Sequence, residues 1–337
     1  MSRRKLRVLA LVHPTQVPAE GKLDEEARRA APWKMEYDIR EALTALGHHV
    51  RFLGVDDELK PIRDAVRDYG PDLAFNMLEF FHGESMYDQH VAAWLELLRL
   101  PYTGNSSRGL FLAREKALSK KIAHYHRVLI PDFFVVKRGR TPRRPRRLDF
   151  PLIVKALRED ASMGISRASV VESDDALTSR VEYLQARFDA DVIVEQFIAG
   201  REIYQGVLGN ERLNAFEPWE LFMDKRPKGT RLIATERAKF DPRYQDKVGV
   251  LTGPMEGVDD AIRRRLCRTS RRLYRALFQS GYSRMDYRLD KDGRLYFLEA
   301  NPNPDLSRTE DLAMSASVDH IDYEKLIQRI LSLALRR

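Results

Sequence analysis

The sequence predicts a mixed α/β protein, with a parallel-sheet unit at the N-terminus followed by two smaller α+β units. Three observations carry this. Short apolar strands alternate with helices from residue 6 to residue 76, the pattern of a parallel sheet with crossover helices. A strand–helix–strand succession follows between residues 114 and 195, and residues 281–304 read as two strands about a turn. At 337 residues the chain exceeds a usual single core, so three domains are expected, at 1–113, 114–200 and 201–337.

In order, residues 6–12 form a buried strand, and Lys34–Leu46 a helix stopped by Gly47. Strand 50–54, helix Asp57–Tyr69 and the short apolar strand Asp72–Asn76 complete the first unit. Two loops leave strand ends, where open parallel sheets bind ligands: His13 to Pro32, and Asn76 to Asp88. A helix runs from Arg114 to about His126, then come strands Phe133–Val136 and Leu152–Lys155, helix Ser173–Arg187 and strand Val192–Glu195. Residues 202–337 are strand-rich, with helices at 258–279 and 322–336. Their hairpin pairs Tyr282–Leu289 with Leu295–Leu298 across the turn Asp290-Lys291-Asp292-Gly293.

An apolar fraction of 43% suffices for globular cores. One cysteine, Cys267, excludes an internal disulfide and any cysteine-based zinc or iron–sulfur site, and is expected in the core. No apolar run is long enough for a signal-peptide core or a membrane span, and a cytoplasmic address is expected. The net charge of +8 comes largely from two arginine clusters. Residues 138–147 form a proline-broken basic loop without interleaved aromatics, which argues against an RNA-stacking surface; another anionic partner stays open. Residues 262–278 form a helix whose arginines read as a solvated face. The sequence lacks Gly-x-Ser-x-Gly, P-loop and Gly-x-Gly-x-x-Gly signatures.

The hairpin carries the chemistry. Asp286 and Glu299 on the paired strands, with Asn301 just past the second, could converge as three hard oxygen ligands of the kind Mg²⁺ takes. The plainer reading is a hairpin with solvated acids. Arg284, two residues before Asp286, shares its face and could salt-bridge either acid.

The segment Asp286…Leu298-Glu299-Ala300-Asn301-Pro302 resembles the metal-binding hairpin of the ATP-grasp superfamily, and more narrowly its D-alanine–D-alanine ligase branch. Four further stretches resemble that branch in the same order: Leu100–Gly104, Glu115–Lys120, Phe150–Lys155 with Arg158-Glu159, and Val194–Glu202. The resemblance implies an ATP-grasp fold, with an N-terminal parallel-sheet domain on the substrate side, a central small subdomain, and a C-terminal subdomain bearing the metal and catalytic residues. It further implies ATP, Mg²⁺ (two ions, with Mn²⁺ an alternative) on Asp286, Glu299 and Asn301, and small-molecule carboxylate and amine substrates. A homodimer is implied as well. Lys116 and Lys155 match lysines that touch the nucleotide, and Glu159 lies in the same matched stretch. Glu195, Phe197 and Ile198 match the hinge at the adenine edge, and Glu202 the acid that takes ribose hydroxyls. Residues 160–166, with Ser162, resemble a phosphate-covering loop, and Lys239 a lysine delivered by a flexible loop. Arg284 matches the group that stabilises a tetrahedral intermediate, and Glu36 an N-terminal acid near the substrate.

The pattern also breaks. Ala161 stands for one of two adjacent serines, Asp160 for the glycine before them, and Phe240 for a tyrosine. Asp305 replaces a glycine, and Glu310 the serine that would accept the incoming carboxylate. Activation chemistry is therefore expected to survive while the acceptor changes: an ATP-dependent carboxylate–amine ligase acting through an acyl phosphate, with an acceptor other than D-alanine. The rivals are a true D-alanine–D-alanine ligase, and a non-catalytic nucleotide-binding module with a basic surface for an anionic partner.

Overall fold

The computed structural model describes residues 4–21, 27–28, 31–159, 162–227 and 229–337. The loop from His13 to Pro32 lies partly outside these residues, and Asp160 and Ala161 wholly so.

Strands β1 (Arg7–Val12), β2 (His49–Gly54) and β3 (Leu73–Asn76) form a parallel sheet in the order β2-β1-β3. A central parallel strand is covered on both faces and reads as a continuous apolar run. Val8, Ala10 and Val12 pack to one side with Ile39, Ala42 and Leu43 of helix α1 (Lys34–Ala45). Leu9 and Leu11 pack to the other with Ile62 and Ala65 of α2 (Lys60–Tyr69) and Val91, Ala92 and Leu95 of α3 (Asp88–Leu97). Two more helices, α4 (Ser107–Arg114) and α5 (Lys116–Tyr125), lead to the next sheet.

That sheet is antiparallel, β4-β7-β5-β6, built from β4 (Phe133–Val136), β5 (Leu152–Ala156), β6 (Val170–Val171) and β7 (Val192–Gln196). Helix α6 (Asp174–Phe188), capped by Ser173, covers it through Leu177, Val181 and Leu184.

The third sheet runs β11-β10-β8-β12-β13, with β9 (Asn214–Ala215) on β8. Its strands are β8 (Arg201–Leu208), β10 (Trp219–Met223), β11 (Val250–Pro254), β12 (Tyr282–Leu289) and β13 (Leu295–Pro302). Between β10 and β12 lie α7 (Glu236–Phe240), α8 (Pro242–Val248) and α9 (Asp260–Ala276); α10 (Asp311–Val318) and α11 (Tyr323–Ala334) close the chain. Leu266, Leu273 and Tyr274 of α9 pack on Val207, Met285, Tyr287 and Phe297.

The structure departs from expectation in four places. Strand β13 continues to Pro302, so Asn301 lies within it, with Glu299, rather than past its end. A bulge after Asp286 absorbs Leu298, and beyond it Asp286 faces Glu299 and Arg284 faces Asn301. Lys239 sits on the short helix α7, whose first turn Thr235 caps through the Ala238 N–H, rather than on an irregular loop. Cys267 is half-buried, its Sγ 3.6 Å from Gln205 Oε1, because α9 turns only part of that face to the sheet. Finally, α11 returns to the first sheet: Leu326, Ile327, Ile330 and Leu331 join the core of Val8 and Ile39, so the chain's two ends share one core.

Candidate active site

Antiparallel strands place directly paired residues on the same face, as they do residues two apart on one strand. Arg284, Asp286, Glu299 and Asn301 therefore form one polar patch on the β12–β13 hairpin. Arg284 grips Asp286 with two bonds, Nε to Oδ1 at 2.9 Å and Nη2 to Oδ2 at 3.0 Å, and stands 3.4 Å from Asp311. Its guanidinium lies 4.4 Å above the Tyr204 ring. Asn301 Nδ2 donates to Asp286 Oδ2 at 2.8 Å, which leaves the amide oxygen as its acceptor group.

The two acids differ sharply. Burial raises the Asp286 carboxyl to about 6, against the pull of Arg284. Glu299 feels burial too, but Lys116, Lys155, Lys239 and Lys120 outweigh it and hold the carboxyl at about 2. An ionised Glu299 thus sits under a field of converging lysines.

Beside the hairpin opens a cleft. Its lining combines the apolar Ile153, Phe197, Ile198 and Ile233 with the charged Lys155, Lys239, Asp286 and Glu299. Ser162, Glu195 and Glu202 also line it, whereas Lys116, Glu159, Asn301, Arg284 and Glu36 do not. Lys116 stands behind the wall, its Nζ donating to the Glu159 carbonyl and lying 3.7 Å from Glu299. Glu195 is buried, tied to Lys155 at 3.0 Å and Lys120 at 3.2 Å. The two lysines overcome its burial and keep its carboxyl below the usual range.

Ser162 and Ile165, on one loop, line the cleft. Ser162 has φ 62°, uncommon for a residue other than glycine. Gly164 has φ 71°, and a Cβ there would stand 2.6 Å from Phe188, so glycine is required. The Gly164 N–H donates to Glu236 at 2.7 Å, which ties this loop to the helix carrying Lys239.

Glu36 lies apart from the cleft, on α1, 1% exposed and with no hydrogen-bond partner for Oε1 among the described residues. Burial raises its carboxyl to about 7, and Asp305 and Glu79 add to the rise. Glu310 precedes α10, 3.6 Å from Lys34. Burial, Asp305 and Asp311 push its carboxyl up despite Lys34 and Arg284, so the local field is negative. Acids thus run from Glu36 through Asp305 and Glu310 towards the hairpin.

Two residues escaped the sequence reading. Lys120 is fully buried and also donates to the Leu298 carbonyl; its spacing of four from Lys116 on a helix was the available signal. Arg288 lines the cleft and holds Glu202 at 2.6 Å and the carbonyls of Gly200 and Leu232 at 3.0 and 2.9 Å. It continues the alternation Arg284, Asp286, Arg288 along one strand face.

The donors suit a hard divalent cation: two carboxylates and an amide oxygen, with no sulfur or imidazole. Among the described residues no three His, Cys, Asp or Glu side chains gather as a metal cluster, since the third donor here is an amide.

An apolar slot, converging lysines and an acidic hairpin are what a nucleotide-using ligase requires, and the overall fold matches that class. The crystal structure of D-alanine–D-alanine ligase from Bacillus anthracis complexed with ATP superposes with a TM-score of 0.75, covering 98% of both chains at 22% identity. The Coxiella burnetii D-alanine–D-alanine ligase gives 0.70 at 18% identity, covering 99% of this chain and 94% of that one. In sequence, the model of the D-ala D-ala ligase C-terminus matches residues 122–332. A D-alanine–D-alanine ligase of Geobacter sulfurreducens is 33% identical over 300 residues, 87% of this chain and 86% of that one. An uncharacterized protein of Sinorhizobium fredii is 31% identical over 265 residues, 79% and 75% of the two chains. The chain belongs to the D-alanine–D-alanine ligase family of ATP-grasp enzymes, and is an ADP-forming, ATP-dependent ligase of that family. Among the described residues no helix is long and apolar enough to cross a membrane.

Proposed function

We propose that this enzyme is a carboxylate–amine ligase that joins an activated carboxylate to an amine other than D-alanine. The observation that carries the reading is one cleft lined both by the apolar Ile153, Phe197, Ile198 and Ile233 and by Lys155, Lys239, Asp286 and Glu299. Adenine fits the slot between Ile153, Phe197, Ile198 and Ile233, the ribose hydroxyls fall to Glu202, and the phosphates lie towards Lys155, Lys239 and the Ser162 loop. Lys116 and the Glu159 carbonyl brace Glu299 from behind. Asp286, Glu299 and the Asn301 oxygen would hold Mg²⁺, in our reading two ions with Mn²⁺ as a substitute, which supplies charge neutralisation for phosphoryl transfer.

The carboxylate substrate's oxygen attacks the γ-phosphorus of ATP and ADP leaves. The amine then attacks the acyl phosphate, giving a tetrahedral oxyanion that collapses to an amide and phosphate. Arg284, already fixed by Asp286, places a cation where that oxyanion develops. In this scheme residues 1–113 supply substrate contacts, 114–200 the nucleotide cover, and 201–337 the metal and catalytic groups. ATP use and a single cysteine fit the cytoplasm, and the family likeness leads us to include a homodimer.

Replacing Lys155 by Ala should raise the KM for ATP, because a phosphate-facing cation is lost; initial rates against ATP concentration check this, and an unchanged KM would remove Lys155 from the site.

The negative field around Glu310 supports an acceptor that is neutral or cationic there, such as an amino amide, polyamine or basic residue. Wrong-sign groups shift specificity by roughly 10²-fold or more. In a coupled ADP-release screen, wild type should dimerise D-alanine poorly, and Glu310→Ser should improve that reaction. Robust wild-type D-alanine dimerisation at millimolar substrate would instead support the second reading, a D-alanine–D-alanine ligase, which the names of several relatives favour.

A further inference from the structure

The arginine-rich helix α9 presents Arg264 and Arg268 to solvent, as expected, while Arg271 is half-buried. Arg264, Arg268 and Arg271 fall at spacings of four and three, which lines them up along one side of the helix. They edge a second cleft, whose other walls include Phe216, Glu217, Pro218, Cys267 and Asp319. Gln205 reaches Cys267 from β8, while its neighbour Tyr204 lies under Arg284. Successive strand residues point to opposite faces. The second cleft therefore lies behind the sheet that carries the hairpin.

Its charge is uncompensated. Arg263 is spent on Glu217 and on the Met255 carbonyl. Arg264, Arg268 and Arg271 make no ion pair or hydrogen bond among the described residues, and the Nε of Arg271 is buried without an acceptor. Asp319 makes no ion pair with them among the described residues; burial raises its carboxyl and His320 lowers it. The basic loop at 138–147 differs, since Arg138 pairs with Asp189 and Arg144 with Asp174. A buried guanidinium N–H such as Arg271 Nε ordinarily finds an acceptor, and the exposed forks of Arg264 and Arg268 match phosphate oxygens two at a time. Seven residues of helix, from Arg264 to Arg271, span roughly 10 Å, the length of a short phosphate chain rather than one phosphate.

We propose that this cleft is a second binding site, distinct from the ligase cleft, for a compact di- or triphosphate group of a small molecule.

Cys267 lines the cleft and is the chain's single cysteine, so its modification reports on this site alone. The experiment follows Cys267 modification by a dianionic aromatic disulfide, with the ligase cleft saturated by Mg²⁺ and a non-hydrolysable ATP analogue. Inorganic tripolyphosphate should slow the reaction about tenfold relative to sodium chloride of equal ionic strength. Arg268→Gln with Arg271→Gln should abolish that protection, and the single Arg264→Gln variant should weaken it. A neutral pyridyl disulfide should modify wild type and variants at similar rates. Protection by a pyrimidine nucleoside triphosphate equal to that by tripolyphosphate assigns the site to a nucleotide tail, and weaker protection to free polyphosphate. The proposal is overturned if tripolyphosphate protects no better than sodium chloride. It is equally overturned if the variants keep the protection, or if the neutral reagent's rate changes in parallel with the anionic one's.

Discussion

Asp286→Asn or Glu299→Gln is expected to abolish turnover while leaving the fold intact. Both acids face each other across one hairpin, and both substitutions keep side-chain volume, although Asp286→Asn loses one of the two acceptor oxygens that Arg284 and Asn301 use. Each removes the charge a divalent cation would need beside transferring phosphate. A loss of about 10³-fold in kcat corresponds to ~4 kcal/mol of transition-state stabilisation. Circular dichroism and thermal melting establish that the variant is folded; steady-state kinetics at saturating ATP and Mg²⁺ give kcat. An unchanged kcat in a folded variant would show that the hairpin acids are not ligands.

Glu36→Gln should stabilise the protein at pH 8 and make little difference at pH 4. The Glu36 carboxyl is raised from 4.5 to about 7 by burial, with Asp305 and Glu79 adding. Between those values the folded protein holds a proton that the unfolded chain has lost. Stability therefore falls as pH rises through this window, and the full cost, on the order of 3 kcal/mol, is present above pH 7. Glutamine carries no such charge and escapes the cost. A charge kept at a loss in stability, with Oε1 unpartnered, suits a group that a cationic substrate neutralises. Activity in Glu36→Gln should accordingly fall while the melting temperature at pH 8 rises. Equal destabilisation at both pH values would mean that the carboxyl is an ordinary packing element.

The parts of this protein legible in its sequence are those set by local pattern. The run at residues 6–12 showed a strand buried on both faces because no polar alternation interrupts it. The hairpin declared itself through Asp290-Lys291-Asp292-Gly293, and Arg284 and Asp286 shared a face by simple alternation. What stayed hidden depends on tertiary partners. The bulge at Asp286, which carries β13 past Asn301, arises from pairing between strands. The burial of Lys120 requires Glu195 and the Leu298 carbonyl, brought together from three distant segments. Arg288 gains its role from Glu202 of β8 and the carbonyl of residue 232, which enclose it. The return of α11 to the first sheet is set the same way, by the distant surface the final helix packs on.

The most direct test of the central claim is the fate of oxygen. A carboxylate that supports ADP release is labelled with ¹⁸O, and the products are analysed by ³¹P NMR and mass spectrometry. Activation as an acyl phosphate passes one labelled oxygen to the inorganic phosphate and leaves ADP unlabelled. Appearance of AMP with pyrophosphate, or of phosphate free of label while amide accumulates, would contradict the account.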